Sequence, residues 1–301
     1  MIEGPTMKRI VTYVVISLLT VTCVSIVNSL LARRRQHALE TSASSPARVG
    51  ITPPVPSAAV IPTPDIEMAF GSHGLRLVPD KVQLTSERRH YEINVSYPQV
   101  DGTADPHIRR LNQRIKELVR ANYRWPLTIT DDELRRSLEM HPEPTNTVDI
   151  NYDVSLASDS VLSIYFGKYS YGIGAAHGVQ QSFVINYDVA AKKELKLSHL
   201  FAPGSKYLQF ISRYCTEELT RDGHGSIPFS ESLIPVSSNF ASWNVTPTGI
   251  RFNFDQCRIF GCSAPQQDVE IPFSDLKPIL SARAMSILPI SSVVTVKAYH
   301  Y

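Results

Sequence analysis

The chain has 301 residues, 43% of them hydrophobic and 19% charged, with a formal net charge of +2. That balance excludes nucleic-acid binding driven by bulk charge and excludes a disordered acidic tail. Four cysteines are too few for a disulfide scaffold and lack the paired spacing of a zinc site, so neither a structural metal nor a cofactor is expected.

In chain order, residues 1–9 form a short tail ending in Met7-Lys8-Arg9, and the uncharged run from Ile10 to Ala32 follows, rich in Val, Ile and Leu. A helix of that length reaches about 35 Å, enough for a hydrocarbon core. Arg33-Arg34-Arg35 closes it, and basic clusters on both sides of an apolar run predict a transmembrane helix over 10–32 rather than a buried core helix. A cleavable signal peptide is the rival. The run outlasts an ordinary apolar region, and no Ala-x-Ala site follows it. Cys23 follows Thr22 and sits inside the run, so it reads as an ordinary helix residue rather than a lipid-attachment cysteine. The sequence therefore predicts a single-pass protein of the inner membrane, with the lipid bilayer as a partner. Residues 33–81 read as a basic flank and linker. Pro46, Pro53, Pro54, Pro56, Pro62 and Pro64 stand there among Ala, Ser and Thr, a composition that favours extended polyproline II.

The folded domain is expected over 82–301. Tyr91, Ile93, Val95 and Tyr97 alternate with polar residues as a half-buried strand ended by Pro98. Asp105 caps a helix with Pro106 in its first turn, and Ile108, Leu111, Ile115, Leu118 and Val119 share one face. The opposite face carries Arg109, Arg110, Arg114, Lys116 and Arg120: a solvated surface by default, or one that binds an anionic partner. Thr130-Asp131-Asp132-Glu133 is a capping box starting a short helix, which accounts for the acidic trio without a site. Val148, Ile150, Tyr152, Val154 and Leu156 alternate strictly with polar residues, and the strand pairs as a hairpin with Val161–Phe166. A strand near Gln181–Tyr187, a helix opened by Pro203 with Cys215 on its buried face, and strands at Ile250–Phe254 and Val269–Phe273 complete an α+β fold. One mostly antiparallel twisted sheet with helices packed on one side is expected.

Between strands lies Tyr169-Ser170-Tyr171-Gly172-Ile173-Gly174-Ala175-Ala176-His177-Gly178, whose glycines permit unusual backbone angles. It is not a dinucleotide fingerprint, because His177 stands where glycine is required and a strand follows. Tyr171, Gly174, His177 and Gly178 are the candidate ligand-contact residues. His177 is either a general base or a histidine bonded to backbone, and no second histidine lies at metal-ligand spacing. No hydrolase, metalloprotease or phosphate-loop motif occurs. Ser274-x-x-Lys277 is a chance match in a short helix that Ser274 caps, so no catalytic residue is assigned. Cys257 and Cys262 stand five apart in a loop, where they either close a small disulfide or remain free thiols.

Taken in order, Tyr91 to Pro98, Gly174 to Gly178, Asn186-Tyr187-Asp188 with Leu197 to Phe201, Thr248 to Phe254 and Val269 to Phe273 resemble a known module. It is the extracytoplasmic domain of the lysozyme-sensing anti-sigma factors, also found attached to some peptidoglycan deacetylases. The resemblance implies an α+β envelope domain lying outside the cytoplasm, which in one branch binds lysozyme. Two departures accompany it. Only nine residues precede Ile10, where a sigma-binding region is needed, and no separate catalytic domain follows Tyr301. The expectation is an anchored, non-enzymatic binding module for a lysozyme-like muramidase or for peptidoglycan. An envelope hydrolase or deacetylase using His177, and a passive structural protein, are the alternatives.

Overall fold

The computed structural model describes residues 67–72, 74–141, 145–221 and 227–290. Seven strands form one sheet in sequence order: β1 (Met68–Phe70), β2 (Leu75–Ser86), β3 (Tyr91–Asp101), β4 (Asn146–Ala157), β5 (Val161–Tyr171), β6 (Val179–Asp188) and β7 (Lys193–Glu194). Every neighbouring pair is antiparallel except β3 and β4. A parallel pair needs a long crossover. Here it runs through α1 (Pro106–Tyr123) and α2 (Asp131–Met140).

Local chemistry sets these elements. The Asp105 carboxylate accepts from His107 N at 2.8 Å and caps α1, and Ile108, Leu111, Ile115 and Val119 bury its apolar stripe. Thr130 and Glu133 close a capping box on α2. Ile93, Val95, Val148, Ile150, Leu162, Ile164 and Phe166 meet α1 in one cluster. Phe166 and Phe183 stack across β5 and β6 at 4.7 Å.

On the opposite face sits a second sheet, β8 (Trp243–Val245), β9 (Gly249–Phe254) and β10 (Gln267–Pro272), in the order β10-β9-β8. Its apolar face, with Ile250, Phe252 and Phe254, packs with Ile211, Cys215 and Leu219 of α3 (Tyr207–Arg221). Two short helices, α4 (Phe273–Leu276) and α5 (Ala282–Ile287), close that cluster through Phe273, Leu276, Ala284 and Ile287. The fold is α+β and mostly antiparallel as expected, but it has two sheets rather than one.

Other differences have local causes. β3 continues past Pro98 because Pro98 lies opposite Pro79 of β2, where neither residue has an N–H to give, and because β4 pairs only with Tyr91 to Val95. β1 and the first part of β2 lie within residues read as linker, and there Phe70, Leu75 and Leu77 join the core. Ser274 sits inside α4, whose N-cap is Pro272.

The inner-membrane location is corrected. Among the described residues no helix is long and apolar enough to cross a membrane. α1, at 18 residues, carries five Lys or Arg on its outer face. The segment that prompted the expectation, residues 10–32, lies outside the described residues, as does Cys23.

Candidate functional site

Strand alternation places α1 on one side of the large sheet and leaves polar side chains on the other. Register then aligns Gln83, Asn94, Asp149, Tyr169 and Gln180 in one row across β2, β3, β4, β5 and β6. Beside it runs the row Thr85, Glu92, Thr147 and Tyr171. Along β5, Tyr165, Tyr169 and Tyr171 share this face, a line of rings about 20 Å long at the usual rise of an extended chain. Between them, Gly167 faces Asn151 and Ser182 and leaves a gap in the line.

The polar groups are mutually held. Asn94 Nδ2 donates to Asp149 Oδ1 at 3.2 Å and to Glu92 Oε1 at 3.1 Å. Burial raises the Asp149 carboxyl above its ordinary range; the Asn94 bond pulls the other way, and the nearby Glu92 charge adds to the rise. Burial also raises the Tyr165 phenol, which accepts from Gln266 Nε2 at 2.9 Å. The loop after β9 forms one edge of the face. Gln256 N donates to the Gln180 carbonyl at 3.0 Å, Gln180 N donates to Gln256 Oε1 at 2.9 Å, and Gln256 Nε2 donates to the Cys262 carbonyl at 2.7 Å. Cys257 and Cys262 are bridged within this loop, with Cα atoms 4.2 Å apart.

The β5–β6 loop forms the other edge. Asn146, buried at the start of β4, accepts from Ile173 N at 3.0 Å and donates to the His90 carbonyl at 3.2 Å. Gly174 has φ +87°, and a Cβ there would press on the His141 imidazole at 3.0 Å. A Cβ on Gly178 would collide with the Tyr169 phenol. Gly178 is thus the space in which Tyr169 lies.

The structure therefore brings Tyr171 and Gly178 to the tyrosine face and turns Gly174 toward His141. His177 is exposed, and its Nδ1 donates to the Gly178 carbonyl at 2.8 Å, leaving Nε2 without a partner among the described residues. No carboxylate bonds to it there, so His177 has the backbone-bonded geometry, without the orienting partner of a catalytic base. Among the described residues no group of three or more His, Cys, Asp or Glu side chains is placed to hold a metal ion. Sequence reasoning did not select Gln83, Asn94, Asp149, Tyr169, Gln180 or His141. The signal was the even spacing of Tyr165, Tyr169 and Tyr171, which pair with Asp153, Asp149 and Thr147.

Comparison with known proteins follows the same division. Residues 84–180 match the family model described as deacetylase PdaC, and residues 198–274 match that of the DUF3298 family. The peptidoglycan-N-acetylmuramic acid deacetylase PdaC of Bacillus subtilis is 25% identical over 143 residues, 46% of this chain. The match covers 30% of that relative's length. Two solved DUF3298-family structures, from Bacteroides fragilis and Pseudomonas aeruginosa, align over 69% of this chain with 15% and 16% identity and TM-scores of 0.47 and 0.45. They are covered over 95% and 96% of their own chains. The resemblance drawn from sequence stands: the chain carries a PdaC-like segment followed by a DUF3298 segment.

Proposed function

We propose that this protein is a cell-envelope recognition module that binds the glycan of peptidoglycan on its tyrosine–amide face. The carrying observation is the row Gln83, Asn94, Asp149, Tyr169 and Gln180, crossed by the line of Tyr165, Tyr169 and Tyr171. Sugar rings present an apolar C–H face, which stacks on the electron-rich face of a phenol, and an equatorial rim of hydroxyls and amides, which bonds to side-chain amides and carboxylates. The part of this face that the second sheet leaves accessible suits a polymer gripped along its length. The relation to a peptidoglycan deacetylase supports a ligand in the wall. Acetyl-group hydrolysis at His177 is the alternative from another class, and a lysozyme-like protein is the alternative ligand on the same face.

Co-sedimentation of the purified chain with insoluble peptidoglycan tests this. Tyr171→Ala and Asn94→Ala should each weaken retention about fivefold or more, the scale of a central contact residue, while circular dichroism shows each variant folded. Undiminished retention in both variants overturns the glycan face. Saturable binding to soluble lysozyme without binding to wall replaces glycan by protein. Acetate release that is lost in His177→Ala makes the chain an enzyme.

A further inference from the structure

On the opposite side of the large sheet, the first turns of α1 meet the β6–β7 turn around a cleft of about 250 Å³. His107, Arg110 and Arg114 enter it from α1, Tyr187 from β6, Lys192 from the turn and Glu194 from β7. The basic face evident in the sequence of α1 thus ends at a concavity. Arg114 Nε meets Glu194 Oε1 at 2.7 Å, and Lys192 Nζ meets Asp105 Oδ2 at 2.7 Å, so these two cations already have carboxylates. Arg110 has no carboxylate partner among the described residues. It donates instead to His107 Nδ1 at 2.8 Å. A guanidinium can only donate, so Nδ1 accepts and the proton of the neutral ring sits on Nε2.

The cleft is consequently rich in donors, with the Glu194 carboxylate engaged by Arg114 and the Asp105 carboxylate beside it by Lys192. Arg110 keeps N–H groups to spare, His107 has its Nε2–H, and Tyr187 lines the cleft while only 5% exposed. Burial, together with the Asp105 charge, holds the Tyr187 phenol above its ordinary range against the opposing pull of Arg110, so it stays an O–H donor.

The turn is also braced. Lys192 has φ +55°, a left-handed conformation that costs a non-glycine residue energy. It is held there by buried Asp188, which accepts from Ala191 N at 2.8 Å and from Arg283 Nη2 at 2.7 Å through each of its oxygens.

We infer that this cleft binds the phosphate group of a small or polymeric phosphate ester, with Arg110 as its unpaired cation, Lys192 sharing its three ammonium donors between Asp105 and the phosphate, and Tyr187 and His107 as neutral donors. Donors on separate elements suit a tetrahedral oxyanion better than a planar carboxylate, which a single guanidinium can hold in two parallel bonds. The site lies on the sheet face opposite Tyr171 and is independent of the glycan reading.

Calorimetric titration of the full chain with inorganic phosphate, dimethyl phosphate and acetate tests the inference. Phosphate should bind saturably in the millimolar range and acetate more weakly. Arg110→Gln and Lys192→Asn should each weaken phosphate binding about tenfold, as expected for loss of a charge-assisted bond; asparagine tolerates the left-handed turn. Arg213→Gln, on exposed α3, should leave it unchanged. Dimethyl phosphate binding as well as inorganic phosphate assigns a phosphodiester, and weaker binding assigns a terminal phosphate. Absence of saturation at tens of millimolar, equal loss in Arg213→Gln, or acetate binding as tightly as phosphate overturns the site.

Discussion

Asp149 shows what the tyrosine face costs at the level of one residue. Its carboxylate lies half-buried between Asn94 and Tyr169, and burial is the largest influence on it, raising its pKa above the 3.8 of an exposed aspartate. A folded-state pKa above the unfolded value means that the folded chain takes up the proton first as pH falls. The contribution to stability is full below the unfolded value and lost as pH rises through the folded one, so at neutral pH this carboxylate works against folding. Asp149→Asn removes the charge while keeping the shape. It should stabilise the chain at pH 7 by about 0.5 kcal/mol, a partly exposed group being well screened, with the gain shrinking toward pH 3.5. Urea midpoints across that range check it, and a variant less stable at pH 7 than at pH 3.5, relative to wild type, contradicts it. Retaining a carboxylate at a net cost fits a residue kept for binding. In the sequence, Asp149 was only the polar half of an alternating strand. Its role depends on Asn94 and Tyr169, and those partners are set by register, which alternation alone does not specify.

At the scale of elements, the least legible feature joins the two sheets. Ser163 Oγ donates to Asn186 Oδ1 at 2.6 Å and accepts from Asn244 Nδ2 at 3.1 Å and Val245 N at 3.0 Å. Asn186 Nδ2 donates to the Trp243 carbonyl at 2.7 Å, and Asn253 Nδ2 to Asn244 Oδ1 at 3.0 Å. All four side chains are at most 5% exposed. The hydroxyl uses its one donor and both lone pairs, so the network is closed at its centre. Alternation in Gly249–Phe254 correctly separated Ile250, Phe252 and Phe254 from Arg251 and Asn253. It could not show that the polar side faces the large sheet rather than water, because satisfied polar groups and solvated ones read alike in sequence. α1 and α2 were legible because their caps are local, within Asp105–His107 and Thr130–Glu133. Asn244→Ala leaves Asn253 Nδ2 without its buried acceptor and one lone pair of the Ser163 hydroxyl unfilled, and the chain should lose about 2–3 kcal/mol of unfolding free energy. A midpoint within the error of wild type in urea would show the network to be dispensable.

For the whole molecule, the two family matches, 84–180 and 198–274, are not two bodies. Adjacent residues of β5 point into different cores, Val161 toward α3 and Leu162 toward α1, so one strand is a wall of both. The connection between the matches carries Asp188, which Arg283 of α5 grips, and Leu195 and Leu197, which with Leu200 and Phe201 of the second match are buried in the second sheet's cluster. Phe201 also bridges Leu280, and Ser281 N donates to the Leu200 carbonyl at 2.8 Å. Losing the α3 cluster would therefore uncover Val161 together with the polar network, and losing the α1 cluster would remove the strand on which the network is built. Opening of either core should therefore destabilise the other. Calorimetry of the full chain should accordingly show one heat-absorption peak for the folded region, with calorimetric and van't Hoff enthalpies in a ratio near unity. Asn244→Ala should lower the temperature of that single peak rather than split it, because the shared strand keeps the cores coupled after their polar contact weakens. Two resolved peaks in the wild-type chain would mean that the PdaC-like and DUF3298 segments fold separately and that β5 is merely where they touch.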